Sequence, residues 1–218
     1  MNHSIQITVK AFVKASPVYP LVSRLRAAKQ IRDWHRGGCP IPPPSVYKQR
    51  LVAEYARQFG IKTLIETGTL FGEMVAASEK CFQEIYSIEL DEALFAKAAE
   101  RFRSVSHIRI IKGDSGDVLP VLLDQIDGPC LFWLDGHYSG AGTGRGEEDS
   151  PVSKELEAIL SHNCGKHVVL IDDARLFIGL DGYPTLAGMG KMLIGRQTGW
   201  VMKTEHDIIR IVPSSMVQ

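Results

Sequence analysis

The chain has 218 residues, 44% of them hydrophobic and 23% charged, and its formal net charge is zero. That size and mix suit one soluble α/β domain with an N-terminal extension and a sizeable buried core. No apolar run reaches the roughly 18–20 residues of a membrane span, and His3, Gln6 and Lys10 break the start as a signal peptide would not.

The neutral total hides an asymmetry. Residues 1–50 hold nine Lys/Arg and a single acid, Asp33, so the remainder of the chain is acidic. A basic arm of this kind contacts an acidic substrate, an anionic surface, or an acidic domain of its own or a partner subunit. Docking on its own domain is the plainest of these. No basic patch interleaved with aromatics points to nucleic acid. Cys39, Cys81, Cys130 and Cys164 are scattered, without a C-x-x-C pair. They read as reduced thiols of a cytoplasmic protein, not as a disulfide framework or zinc site.

Residues 1–16 are irregular and β-leaning. From Val18 to Arg36 the pattern is helical, with Leu21, Leu25, Ala28 and Ile31 on one face and five arginines or lysines around it. The run Gly37-Gly38-Cys39-Pro40-Ile41-Pro42-Pro43-Pro44 stops that helix and forms a stiff linker. Residues 1–45 therefore read as an extension and 46–218 as the main domain. Ser45 is placed to cap a helix over 46–59 that ends at Gly60.

Strands and helices then alternate. Strands are expected at 62–66, 84–90, 107–112, 130–135 and 167–172, with helices at 72–82, 91–103, 115–125 and after Ser150-Pro151. A glycine-rich loop covers 136–149. A further helical stretch falls near 184–195, and strands 200–205 and 208–212 flank His206-Asp207 as a hairpin. Regular βα alternation predicts a doubly wound, Rossmann-like parallel sheet; the closing hairpin is antiparallel. Seven strands result.

The chemistry sits where the strands end. Strand one runs Thr63-Leu64-Ile65-Glu66-Thr67-Gly68, with Gly72 following, and strand two ends in Glu89. A dinucleotide site needs a G-x-G-x-x-G turn for the pyrophosphate. The run Glu66-x-Gly68-x-x-x-Gly72 lacks it and carries an acid, which suits a ligand with an ammonium and a sulfonium. Glu89, at the next strand end, is placed to accept ribose hydroxyls. Strand three leads to Asp114-Ser115, strand four to Asp135-Gly136-His137, and strand five to Asp172-Asp173.

These motifs resemble the class I S-adenosylmethionine (SAM)-dependent methyltransferases over about residues 46–212. The acid after strand four and the acid pair after strand five resemble the metal-dependent O-methyltransferases of the macrocin and catechol types. The resemblance implies that Glu66, Gly68 and Gly72 line the methionine portion and Glu89 holds the ribose. It places Asp114 and Ser115 at the adenine and Asp135 beside the donor. It also implies that Asp135, Asp172 and Asp173 hold Mg²⁺ against an acceptor hydroxyl of a small molecule or glycan. Asp114 equally reads as a helix cap, and the acid pair as turn caps. His137 reads either as the general base or as a hydrogen-bonding loop residue. Catechol-type enzymes use a lysine nearby, and this loop has none.

Three competing readings remain at this point. One is a SAM-binding module without catalysis; another is a nucleotide-dependent enzyme on a similar sheet. Nitrogen methylation is disfavoured by the lack of an Asn/Asp-Pro-Pro-aromatic motif after strand four. The basic helix is a candidate surface for a homodimer or a cover for the acceptor pocket.

Overall fold

The computed structural model describes residues 19–136, 150–194 and 199–217. The expected β-leaning start, His137 and most of the glycine-rich loop lie outside the described residues. The chain divides into two compact units, with the boundary between Lys48 and Gln49.

The first unit contains α1 (Tyr19–Arg36) and the start of α2 (Ser45–Phe59). Lys29 pairs with Asp33 one turn on, at 2.6 Å. The Trp34 indole donates to the Pro40 carbonyl at 2.8 Å, and its ring tilts against Tyr47. The proline run is thereby tied back to the helix it terminates.

The second unit is built on a sheet of seven strands: β1 (Thr63–Thr67), β2 (Glu84–Glu89), β3 (Ile108–Lys112), β4 (Cys130–Leu134), β5 (Val168–Ile171), β6 (Trp200–Glu205) and β7 (Ile208–Pro213). Their order is β3-β2-β1-β4-β5-β7-β6. β1 to β5 pair in parallel, and β7 runs antiparallel to both β5 and β6. The connecting helices are α3 (Glu73–Ser78), α4 (Glu92–Phe102), α5 (Ser115–Leu123), α6 (Val152–Ser161) and α7 (Leu186–Leu193). This is the expected Rossmann-like sheet. No helix among the described residues is long and apolar enough to cross a membrane.

Side chains alternate across a strand, so the register sorts the core into rows. Tyr86, Ile65, Phe132, Val169 and Ile211 lie side by side across β2, β1, β4, β5 and β7. They pack with Leu119 and Leu122 of α5, Leu156 and Ile159 of α6, and Met189 of α7. The next row on that face is Ile88, Thr67, Leu134, Ile171 and Ile209, in which Thr67 is the single polar member. Glu66 and Ser87 point to the opposite face.

Two helix starts differ from expectation. Ser45 lies inside α2 as its first residue, and the Pro44 carbonyl accepts from Tyr47 N at 2.8 Å. Ser150 does not cap α6, because Pro151 precedes the helix in a helical conformation and the Ser150 hydroxyl meets Tyr183. α3 is also shorter than the expected 72–82, ending at Ser78 in a turn closed by Cys81 N to Ser78 O.

The hairpin turn His206-Asp207 has φ of 52° and 63°, the left-handed pair that a two-residue turn with the strand twist requires. Asp207 is buried, and its carboxylate accepts from Arg175 N at 2.8 Å and from the Arg175 guanidinium. Its carbonyl accepts from Ala174 N. The turn between β6 and β7 thus clamps the short helical turn Ala174–Leu176 that follows β5. Asp207→Ala strips three bonds from that turn and is expected to cost about 2 kcal/mol, read as a lower urea midpoint at unchanged slope.

Candidate functional site

The backbone ladder continues past the strands at their carboxyl ends. Gly113 N donates to Glu89 O at 3.0 Å and Gly68 N to Ile88 O at 3.0 Å. Asp135 N donates to Thr67 O at 3.1 Å, and Asp172 N to Leu134 O at 3.0 Å. Glu89, Gly68, Asp135 and Asp172 are therefore drawn into one row along the edge where open α/β sheets bind ligands.

Gly68 has φ of 85°, and a Cβ there would lie 2.6 Å from the Asp135 carbonyl oxygen. No side chain fits between the two turns. Gly72 has a different reason to be glycine: a Cβ would strike the Phe102 ring of α4 at 2.6 Å. Packing accounts for it without reference to a cofactor.

Glu66 is 2% exposed. Ser87 Oγ donates to its Oε2, and Thr69 Oγ1 lies 2.6 Å from Ser87 Oγ. Burial drives its pKa up to about 8, against the Ser87 bond, and the charges of Asp135 and Glu89 push the same way. Glu89 is buried as well, and both its oxygens are in use. Oε2 accepts from Leu70 N and Oε1 from Asp91 N, each at 2.8 Å. Leu70 is held at φ 50° by that bond. Each oxygen keeps a lone pair for a further donor.

Asp114 caps α5, its Oδ1 accepting from Gly116 N at 2.9 Å. The Ser115 hydroxyl turns inward to Glu155 of α6. Glu155 is 1% exposed, and its pKa is pushed up to about 7 by burial, opposed by the Ser115 and Thr67 hydroxyls beside it. Its Oε1 and Thr67 Oγ1 have no hydrogen-bond partner among the described residues. The sequence analysis did not single out Glu155. Its signal is position: Val152, Leu156 and Ile159 form the buried stripe of α6, and Glu155 stands on that stripe as its acid.

The expected metal triad does not assemble. Asp135 and Asp172 line one small cavity. Asp172 Oδ1 accepts from Asp173 N at 2.9 Å. Asp173 has φ of 56°, and its carboxylate meets the Arg175 guanidinium at 2.7 Å. Arg175 supplies the positive charge that the sequence reading assigned to a cation. No group of three or more His, Cys, Asp or Glu among the described residues could hold a metal ion.

No family model matches the chain, and no curated protein matches it. Solved structures do. The O-methyltransferase TomG of Streptomyces achromogenes, involved in tomaymycin synthesis and bound to SAM, superposes with a TM-score of 0.56 at 16% identity, over 86% of this chain and 88% of that one. The methyltransferase PaMTH1 of Podospora anserina, bound to S-adenosylhomocysteine (SAH), gives 0.58 at 15% identity over 98% and 97%. An O-methyltransferase of Bacillus cereus in complex with SAH gives 0.57 at 11% identity over 86% and 90%. The likeness is one of fold: the sheet and its helices are those of the class I methyltransferases.

Two outcomes follow from this geometry. Gly68→Ala forces a side chain against the Asp135 carbonyl at positive φ and is expected to cost about 1–3 kcal/mol in urea unfolding. Glu66 has its pKa raised in the folded state, so its contribution is complete below pH 4.5 and is lost as pH rises toward about 8. Glu66→Gln carries no such loss. Its stability relative to wild type should rise by more than about 1 kcal/mol between pH ~6 and ~9; a constant difference would refute the buried neutral carboxyl.

Proposed function

We propose that this chain is a SAM-dependent methyltransferase acting on a hydroxyl of a small-molecule or sugar acceptor. The observation that carries the reading is the row of acids at the carboxyl edge. Glu66, Glu89 and Asp135 lie close enough for the last two to raise the pKa of the first. The cations resolved near this edge have partners of their own: Arg101 pairs with Glu73, and Arg175 with Asp173 and Asp207. A ligand bearing positive charge relieves that repulsion, and SAM carries both an ammonium and a sulfonium. The residues present fit it.

SAM supplies a methyl group on a positively charged sulfur, activated for transfer. The chain's part is to bind and align. Glu66 gives the methionine end a negative environment. Glu89, already fixed by two backbone N–H groups, accepts from the ribose. Asp114 accepts from the adenine amino group while capping α5. The Gly68–Asp135 contact keeps the two turns together, so the donor is presented toward β4 and β5. The acceptor's proton is assigned to His137 on sequence grounds alone. Magnesium has no part in this reading, because Asp173 is committed to Arg175 and the donor set is incomplete. Residues 46–218 form the catalytic body and 1–45 an extension. The free thiols Cys39, Cys81, Cys130 and Cys164 accord with a cytoplasmic setting.

Calorimetry tests the reading. Wild type should bind SAM at micromolar concentration, and Glu89→Ala should weaken it by at least about tenfold, or 1.4 kcal/mol. The heat should not depend on added Mg²⁺. Absence of SAM binding by the folded wild type sinks the proposal.

A further inference from the structure

We propose that the cavity beside the Asp135–Gly136 turn is an anchoring subsite for a primary ammonium group of the acceptor. The inference rests on the methyltransferase reading and adds the acceptor's class: an amino alcohol or amino sugar, whose amine is the handle and whose hydroxyl is the nucleophile.

The cavity lies between β4, β5 and α6. Asp135, Asp172 and Glu155 line it together with Ser150, Phe177 and Tyr183. Its described wall holds three carboxyl groups and no Lys, Arg or His. The neighbouring cation, Arg175, is engaged by Asp173 and Asp207. Charge at this wall is therefore of one sign, and lone carboxylates in low dielectric are costly without a partner.

Glu155 shows that a donor belongs here. It is 1% exposed, it lines the cavity, and its Oε1 has no hydrogen-bond partner among the described residues. Buried polar atoms are nearly always satisfied. Ser115 and Thr67 serve the other side of the carboxyl. The cavity volume is about 10 Å³, roughly the room one water-sized group needs. An ammonium head has that size and brings three donors. A water would satisfy Oε1 and leave the negative charge unanswered.

The aromatic wall favours the same occupant. Phe177 and Tyr183 meet edge to face, with ring centroids 5.1 Å apart. A ring face beside carboxylates attracts a cation. The pKa of Glu155, pushed up to about 7 by burial, accords with a group that ionises fully when a cation arrives.

The same ammonium chemistry occurs at the amino-acid end of SAM, so the test must separate the two sources. The full-length protein, saturated with SAM, is titrated with propylamine hydrochloride and, in parallel, with 1-propanol at matched ionic strength. Amide NMR shifts near Glu155, Gly136 and Tyr183 report docking. Propylamine is expected to give saturable shifts in the millimolar range, propanol none, and SAM is expected to stay bound. Glu155→Gln should weaken the amine by about tenfold or more while SAM affinity changes less than about twofold. Phe177→Leu is the second variant, with about threefold weaker amine binding and SAM unchanged.

No saturable response to the amine, or an equal response to propanol, overturns the subsite. An amine that displaces SAM overturns its assignment to the acceptor. Loss of SAM binding with the amine still docking strikes the methyltransferase reading, and with it the acceptor, while leaving a cation site.

Discussion

The carboxyl-edge backbone ladder is the constraint on which everything else rests. Four hydrogen bonds, Gly113 to Glu89, Gly68 to Ile88, Asp135 to Thr67 and Asp172 to Leu134, extend the parallel register beyond the strands. They are possible because the β1 turn has no side chain at Gly68, where a Cβ would sit 2.6 Å from the Asp135 oxygen. With that contact made, residues from four turns come to lie along one line. Without it, the acids would still end their strands but would not share a site.

The two-residue period of β1 then decides what each acid can do. Glu66 faces one side of the sheet and Thr67 the other, so each side acquires its own buried carboxyl system. On one side Glu66 meets Ser87, and Ser87 meets Thr69. On the other, Glu155 of α6 meets Thr67 and Ser115. Burial raises both pKa values, to about 8 and about 7. Both systems are short of positive charge, and both border the edge at which the donor is proposed to bind. A cationic donor and a cationic acceptor handle answer the same electrostatic condition from opposite faces of one strand.

Much of this was legible in the chain itself. Apolar runs ending in acids, regular βα alternation and a two-residue turn at His206-Asp207 carry the sheet, its order and its hairpin, because strand placement follows from pattern and connection length. The direction of a side chain within its turn was not legible. Asp173 reads as the partner of Asp172 until its left-handed φ turns it to Arg175. Ser150 reads as a cap until Tyr183 takes its hydroxyl. Gly72 reads as part of a cofactor turn, yet the Phe102 ring of α4 explains it. Each depends on a contact with a residue far along the chain. Glu155 is the intermediate case, since its place on an apolar helix stripe was visible but its reason lay in Thr67 and Ser115.

The Arg175 contacts show how the chain balances its remaining acids. Asp173 and Asp207 are both buried, and they come from the β5 turn and the β6–β7 turn. One guanidinium serves both, while Arg175 N also donates to Asp207. A divalent ion at this place would be exchangeable and would need Asp173 turned toward the cavity. A tethered arginine is neither exchangeable nor free to move, since its own backbone is held by the hairpin it neutralises. The β5 turn is thereby fixed from outside the site, and Asp172, next in the chain, keeps its place in the edge ladder without a metal to hold it there.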